Sequence, residues 1–250
     1  MIESGSEEVT LEPNVVEAYF DSVADDYETR RGAGWYQAHA ELVLELAGPL
    51  RPPARILDIG CATGHLLRRA AALNSNCEGV GLDLSKQMIA VARKQASDLP
   101  NLRFIHHDWE QPQNTAQADW VQNGFDLVTC LSCAHYFTAM DEAFRRMRSM
   151  LRPGGRLLLV DRDSDGSPAT LLFGFLHSFV LRDGVRFHGA DHLVEMLCAA
   201  GFAHVRIEKR LRRLAWKGKL VTSLAVISAE VEPAPHTRVE PAQGQATGAR

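Results

Sequence analysis

The residues able to do chemistry gather around one glycine-rich run, Ile56-Leu-Asp-Ile-Gly-Cys-Ala-Thr-Gly-His65. Gly60, Ala62 and Gly64 are small enough to let backbone pass close to a bound molecule. A turn of this kind after the first strand of an open parallel sheet faces the crevice where ligands bind. Its spacing discriminates between ligands. The dinucleotide fingerprint G-x-G-x-x-G/A needs a small residue where His65 stands, and no Gly-Lys-Ser/Thr follows to make a phosphate loop. Two more carboxylates, Asp83 and Asp108, each close an apolar run, and a carboxylate can accept both hydrogens of a vicinal diol. His135, in Ser132-Cys-Ala-His-Tyr-Phe137, offers an imidazole of pKa near ~6.5 that can take a proton from a hydroxyl or an ammonium. The same ring can instead be a structural hydrogen-bonding group where the next helix begins. Tyr27 follows two aspartates, a setting in which a tyrosine keeps part of its ring exposed.

These groups need elements to hold them. Apolar runs at Arg55–Asp58, Gly79–Asp83, Leu102–Ile105, Phe125–Leu131 and Arg156–Asp161 read as buried strands, and amphipathic helical stretches alternate with them. Helices are expected over Pro13–Phe20 and Trp35–Leu46, after the glycine turn through Leu66, Leu67, Ala70, Ala71 and Leu73, from the N-cap Ser85, and over Met140–Met150. Leu151–Gly155 reads as a turn. Further helices are expected over Pro168–Leu181 and Asp191–Ala200, the last stopped by Gly201. Val205–Arg213 and Leu220–Ala229 then form a closing antiparallel pair. The alternation predicts an α/β fold, a doubly wound, mostly parallel seven-stranded sheet covered by helices on both faces, with the last strand antiparallel.

The chain has 250 residues, 46% hydrophobic and 23% charged, which suits one domain with a sizeable core. Its net charge of -4 gives no overall attraction to nucleic acid or to an anionic membrane. The basic runs Arg68-Arg69, Arg145-Arg146 and Lys209–Arg213 read as solvated faces. No apolar run reaches the length of a membrane-spanning helix. Cysteines 61, 77, 130, 133 and 198 read as reduced thiols of a cytoplasmic protein, and the Cys130/Cys133 pair lacks a second pair to complete a zinc site. The expected layout is a flexible leader over 1–12, one domain over 13–229 and a disordered tail over 230–250.

Taken in order, these residues resemble the motifs of class I S-adenosylmethionine-dependent methyltransferases that act on small molecules. The run Asp58-x-Gly60-x-Ala62-x-Gly64 is similar to that family's acid-x-Gly-x-Gly-x-Gly, departing only at Ala62, and includes Thr63 within the loop. The resemblance implies a Rossmann-like fold and S-adenosylmethionine as cofactor, leaving as S-adenosylhomocysteine. It implies that Asp83 accepts from the ribose hydroxyls and Asp108 from the adenine amino group. It places Trp109 on the base, Leu84 and Met88 on the base's other side, and the Leu131 backbone at the methionine part. Leu151-Arg-Pro-Gly-Gly155 also resembles the family, and the likeness covers roughly residues 15 to 229. Tyr19–Tyr27 resembles a lid helix whose second tyrosine closes over the cofactor. That makes 13–48 a helical lid and Tyr27 a site residue, with 162–189 as the acceptor-pocket insertion.

Methyl transfer from a sulfonium is an in-line displacement with a good leaving group. The protein then supplies alignment, exclusion of water and, where needed, removal of one proton. His135 and Tyr27 are the candidate catalytic residues, with His177 and His188 behind them, while His106 and His107 serve strand packing. Phe173, Phe175, Phe179 and Phe187 can line an aromatic acceptor pocket. The fourth strand ends in Cys-Leu-Ser-Cys rather than the Asn/Asp-Pro-Pro-Tyr run tied to methylation of adenine or glutamine nitrogen, and no Pro-Cys pair is present. The expected acceptor is therefore a small, aromatic or amphipathic molecule, methylated on oxygen or nitrogen in preference to carbon. No nucleic acid, membrane or metal is expected, and the protein is a monomer or homodimer. The alternatives are a cyclising or rearranging enzyme on the same scaffold and a non-catalytic cofactor-binding regulator.

Overall fold

A computed structural model describes residues 13–29, 33–50, 52–111, 119–165, 185–215 and 220–233. The leader 1–12, the aromatic stretch Phe173, Phe175, His177 and Phe179, and the tail from 234 onward lie outside the described residues. Helices α1 (Pro13–Val23) and α2 (Ala33–Ala47) precede the sheet. There follow β1 (Arg55–Ile59), α3 (His65–Leu73), β2 (Glu78–Asp83), α4 (Lys86–Gln95), β3 (Leu102–His106), β4 (Phe125–Leu131) and α5 (Met140–Met150). The described chain ends with β5 (Leu151–Arg162), α6 (Ala190–Ala199), β6 (Ala203–Ala215) and β7 (Leu220–Glu230).

The seven strands form one sheet in the order β3-β2-β1-β4-β5-β7-β6. β1 to β5 pair in parallel, and β7 runs antiparallel between β5 and β6. The order reverses at β1, so the crevice between β1 and β4 is the switch point at which open α/β sheets bind ligands. The apolar residues of the central strands divide between the two faces. Leu57, Ile59, Val128 and Leu157 join one cluster with α5 and α6, while Ile56, Leu127 and Leu158 join another with α2, α3 and α4. Near-complete burial on both faces is what a parallel sheet requires of its strand sequences.

Two boundaries differ from expectation. Residues 151–155, read as a turn, are the first part of β5, whose pairing with β4 shifts register between Phe125 and Leu127. That irregularity absorbs Pro153 and Gly154, which would otherwise break a ladder. The tail was placed from residue 230, yet Glu230 still pairs in β7 and the Val231 N–H donates to Gly155.

Candidate active site

The glycine run turns from β1 into α3 through alternating left-handed residues, Gly60 (φ 70), Ala62 (φ 47) and Gly64 (φ 79). Gly60 is required by contact as well as by backbone angle. A Cβ there would stand 2.6 Å from the Cys133 Cβ. At Gly64 a Cβ would run into the Phe104 ring. Ala62 holds a left-handed angle without being glycine, a conformation that costs an L-residue about 1 kcal/mol. The loop compensates by binding itself to β2: the Gly60 and Cys61 N–H groups both donate to the Leu82 carbonyl, and the Ala62 N–H donates to Asp83 Oδ2 at 2.8 Å.

Asp83 is therefore a hinge between two elements. Its Oδ1 also accepts from the Ser85 N–H at 2.9 Å, at the start of α4, where Ser85 Oγ accepts from the Met88 N–H. Burial pushes the Asp83 carboxyl up to about 6, against the lowering effect of those two N–H groups. Burial likewise pushes Asp58 up to about 7, opposed by the Thr129 hydroxyl, which donates to Asp58 Oδ1 at 2.7 Å, and assisted by the Asp83 charge. Two acids with raised pKa values at one loop mark a place where charge is held away from water.

A cavity of about 330 Å³ opens beside this loop, within the size range of small-ligand sites. Gly60, Ala62, Asp83, Leu84, Asp108 and Trp109 line it from the strand ends, joined by Leu131 and Cys133 from β4 and its exit. Val16, Phe20 and Tyr27 bound it from the N-terminal segment, and Tyr136 and Phe137 from the turn before α5. A smaller cavity adjoins it, lined by Tyr27, Glu28, Asp58, Thr63, His65 and Leu131 among others. Tyr27 faces both, and its ring stacks on Tyr36 with centroids 5.8 Å apart. Most of the expected cofactor residues are thus brought to one place. Met88 and Gly64 line neither cavity: Met88 is fully buried beneath the start of α4, and Gly64 opens α3.

His135 also stands outside both linings. It lies on a short 3₁₀ turn, 134–136, with its ring against Tyr136 (4.3 Å) and Phe187 (5.3 Å). Its Nδ1 lies 2.5 Å from Asp161 Oδ1, and its backbone N–H donates to Asp161 Oδ2 at 2.9 Å. Burial alone would raise the Asp161 pKa, but the His135 ring and the surrounding N–H donors outweigh it and hold the carboxyl below its usual value. His188 is half-buried, stacks on His192, and has its pKa lowered by burial and by that neighbour. His106 Nε2 lies 2.9 Å from the Leu84 carbonyl, and His107 packs edge-on to Trp120.

Several working residues escaped the sequence reading. Glu28 accepts from the Thr63 hydroxyl at 2.6 Å and from Arg68 Nη2 at 2.7 Å, and Arg68 Nη1 donates to the Thr63 carbonyl. Burial opposes ionisation of Glu28, yet His65, Thr63 and Arg68 together pull its pKa down to about 2. Asp21 of α1 accepts from Ser85 Oγ and from the Gln87 N–H, which docks α1 over the N-terminus of α4. Arg146 Nη1 donates to the Trp109 carbonyl and its guanidinium lies 5.5 Å from the Trp109 ring centre. Arg68 and Arg146 are therefore not the solvated charges expected, whereas their neighbours Arg69 and Arg145 pair with exposed Glu41 and Glu142. The five-thiol expectation is also corrected. Cys130 and Cys133 are joined as a disulfide across the Ser132 turn, leaving Cys61, Cys77 and Cys198 free.

A seven-stranded sheet with an antiparallel penultimate strand, an acid-flanked glycine loop at its switch point and an acid ending each of β1's neighbouring crossovers define a nucleoside-binding transferase scaffold. Comparison with known proteins is specific. A profile described as a methyltransferase domain matches residues 30–207. The ubiquinone/menaquinone biosynthesis C-methyltransferase UbiE of Ectopseudomonas mendocina is 31% identical over 212 residues, spanning 74% of this chain and 80% of that protein. The uncharacterized methyltransferase YcgJ of Bacillus subtilis is 32% identical over 121 residues, which is 47% of this chain and 44% of YcgJ. The crystal structure of YcgJ superposes with a TM-score of 0.63 at 21% identity, covering 79% of this chain and all (100%) of that one. The cyclase SpnF superposes equally, with a TM-score of 0.63 at 17% identity over 88% of this chain and 96% of its own. The chain belongs to the class I S-adenosylmethionine-dependent methyltransferases.

Proposed function

We propose that this enzyme transfers the methyl group of S-adenosylmethionine to a small-molecule acceptor, on oxygen or nitrogen in preference to carbon. The observation that carries the cofactor half is the 330 Å³ cavity with Asp83 and Asp108 in its wall and the bare Cα of Gly60 at its floor. Asp83 has the acceptor capacity to take both ribose hydroxyls while keeping its own N–H partners. Asp108 would receive the adenine amino group beside Trp109, and Leu84 would cover the base. The glycine loop, Thr63 and the Leu131 backbone would hold the methionine part, which the smaller cavity extends to accommodate. When bound, the cofactor supplies an electrophilic methyl on a positive sulfur. The chain's own work is to align the acceptor and keep water out.

Tyr27 is the roof of this arrangement, since it alone of the N-terminal aromatics borders both cavities. His135 is the proton acceptor on the acceptor side. With Asp161 on Nδ1, the neutral ring keeps its proton there and leaves Nε2 as the basic atom. A hydroxyl or an ammonium needs such a base, which is why oxygen and nitrogen rank above carbon. The likeness to UbiE, whose name is that of a C-methyltransferase, favours a carbon acceptor instead. The remaining alternative, cyclisation without methyl transfer, has support at the level of fold from SpnF.

One experiment separates these readings. The full chain is incubated with S-adenosylmethionine carrying a ¹³C methyl group and a panel of phenols, amines and enolisable carbonyl compounds. Product and S-adenosylhomocysteine are then quantified together by mass spectrometry and NMR. The proposal expects the two in equal amounts, with the label on oxygen or nitrogen, and His135→Ala slowing turnover most at the acid end of pH 6 to 9, by about 10²-fold or more. Label on carbon supports the second reading. Product without S-adenosylhomocysteine overturns methyl transfer.

A further inference from the structure

Glu110 lies two residues beyond Asp108, in a stretch where nothing in the sequence marks it. Its carboxylate reaches across the cavity mouth to the start of α5. Oε1 accepts from the Thr138 N–H at 2.9 Å, the Thr138 hydroxyl at 3.0 Å and the Ala139 N–H at 2.8 Å. Oε2 accepts from the same Thr138 groups at 3.1 Å. Ala139 occupies the cap position of α5 and offers no side-chain cap of its own, so Glu110 supplies an acceptor and a negative charge at the positive end of this helix. The same residue is bonded to the cofactor wall through its backbone. The Glu110 N–H donates to Asp108 Oδ1 at 2.9 Å, and the Gln111 N–H donates to the Asp108 carbonyl at 3.1 Å. Arg146, further along α5, holds the Trp109 carbonyl. The turn 108–111 is thus fastened to one helix at both of its sides, and the carboxylate of Asp108 is aimed by that fastening.

We infer that Glu110 is a positioning residue for base recognition: by clamping the turn to α5 it fixes Asp108 Oδ1 and so sets the preference for a 6-amino purine. This rests on Asp108 being the partner of the adenine amino group. A carboxylate rewards a donor and repels a carbonyl at the same place, but only while its direction is held. Freed from α5, the Asp108 side chain can turn to solvent, and the site then loses discrimination as well as affinity. Charge-assisted hydrogen bonds to a fixed carboxylate are worth roughly ten- to a hundredfold in binding.

The test uses two ligands that differ at that atom, S-adenosylhomocysteine and S-inosylhomocysteine, titrated calorimetrically into the full chain. The wild type is expected to prefer the adenosyl compound by about tenfold or more. Glu110→Ala is expected to bring the ratio toward unity, mainly by weakening the adenosyl compound. Glu110→Gln keeps one carbonyl acceptor for the Thr138 and Ala139 N–H groups and should retain a ratio between the two, at a melting temperature close to that of the wild type. Equal weakening of both ligands in Glu110→Ala, with the ratio kept, means a structural role only and overturns the inference. An unchanged ratio in a well-folded Glu110→Gln together with Glu110→Ala overturns it as well. A wild type that binds S-adenosylhomocysteine without preferring it over the inosyl compound overturns the assignment of Asp108. A wild type that binds neither overturns the cofactor site itself.

Discussion

Asp83 joins three tasks in one carboxylate: it takes the Ala62 N–H, takes the Ser85 N–H, and borders the cavity. With burial raising its pKa to about 6, the ionised form that can accept two ribose hydroxyls is complete only above that pH. Affinity for S-adenosylhomocysteine is therefore expected to rise as pH goes from 5 to 7 and to level off above 7, by calorimetry in a constant ionic strength. Asp83→Asn retains one carbonyl acceptor but puts an amide N–H against an N–H donor. It should weaken binding by about 10- to 100-fold and flatten the pH profile. A profile in the variant that still rises through pH 6 would assign the titration to another group. The three strand-end acids Asp58, Asp83 and Asp108 were legible because strand ends are where an acid serves no core. Glu28, Glu110, Arg68 and Arg146 were not, because their roles depend on which element lies across from them. Arg68 and Arg69 are adjacent in sequence, yet on a helix adjacent residues point about 100° apart. One faces Glu28 in the site and the other Glu41 on the surface.

At the scale of elements, the N-terminal segment is held over the sheet by named bonds. Asp21 seats α1 on α4, and Glu28 ties the turn after it to Thr63 and Arg68. The Glu28 and Arg68 side chains are only 21% and 17% exposed, so solvent screens this pair less than a surface one. Arg68→Ala leaves the Glu28 charge with the Thr63 hydroxyl as its nearest strong donor, at an expected cost of about 1–3 kcal/mol. Amide exchange followed by mass spectrometry should then quicken across residues 13–29 while β1 and β4 stay protected. Unaltered exchange in 13–29 would show that apolar packing alone seats the lid. Helical periodicity announced α1, α2, α4 and α5 because each buries one stripe. The start of β5 was hidden for the opposite reason. Arg152-Pro-Gly-Gly155 has turn chemistry, and only the register shift against Phe125 makes it part of a strand.

For the molecule as a whole, the site and the fold pull in opposite directions with pH. Asp58 and Asp83 have folded pKa values near 7 and 6, raised by burial from an ordinary carboxylate value of 3.8. A raised folded pKa means that the folded chain holds protons which the unfolded chain has already released. Their contribution to stability is whole below about pH 4 and is lost as pH rises, completely so once pH passes 7. Glu28 works the other way. Its pKa, lowered from 4.5 to about 2, gives stability that is present above pH 4.5 and lost as pH falls through 2, worth about 3 kcal/mol at most. Taken together, these groups place maximum stability of the ligand-free protein near pH 5 rather than at neutrality. Urea denaturation is expected to show unfolding free energy falling by a few kcal/mol between pH 5 and pH 8. Ligand binding reverses the trend, because S-adenosylhomocysteine engages the ionised Asp83 and adds RT ln(1 + [L]/Kd) to the folded state. The increment at saturating ligand should be larger at pH 8 than at pH 5. Ligand-free stability that climbs steadily from pH 5 to 8 would mean that the buried acids ionise without penalty, and that the loop's charge is already balanced before any cofactor arrives.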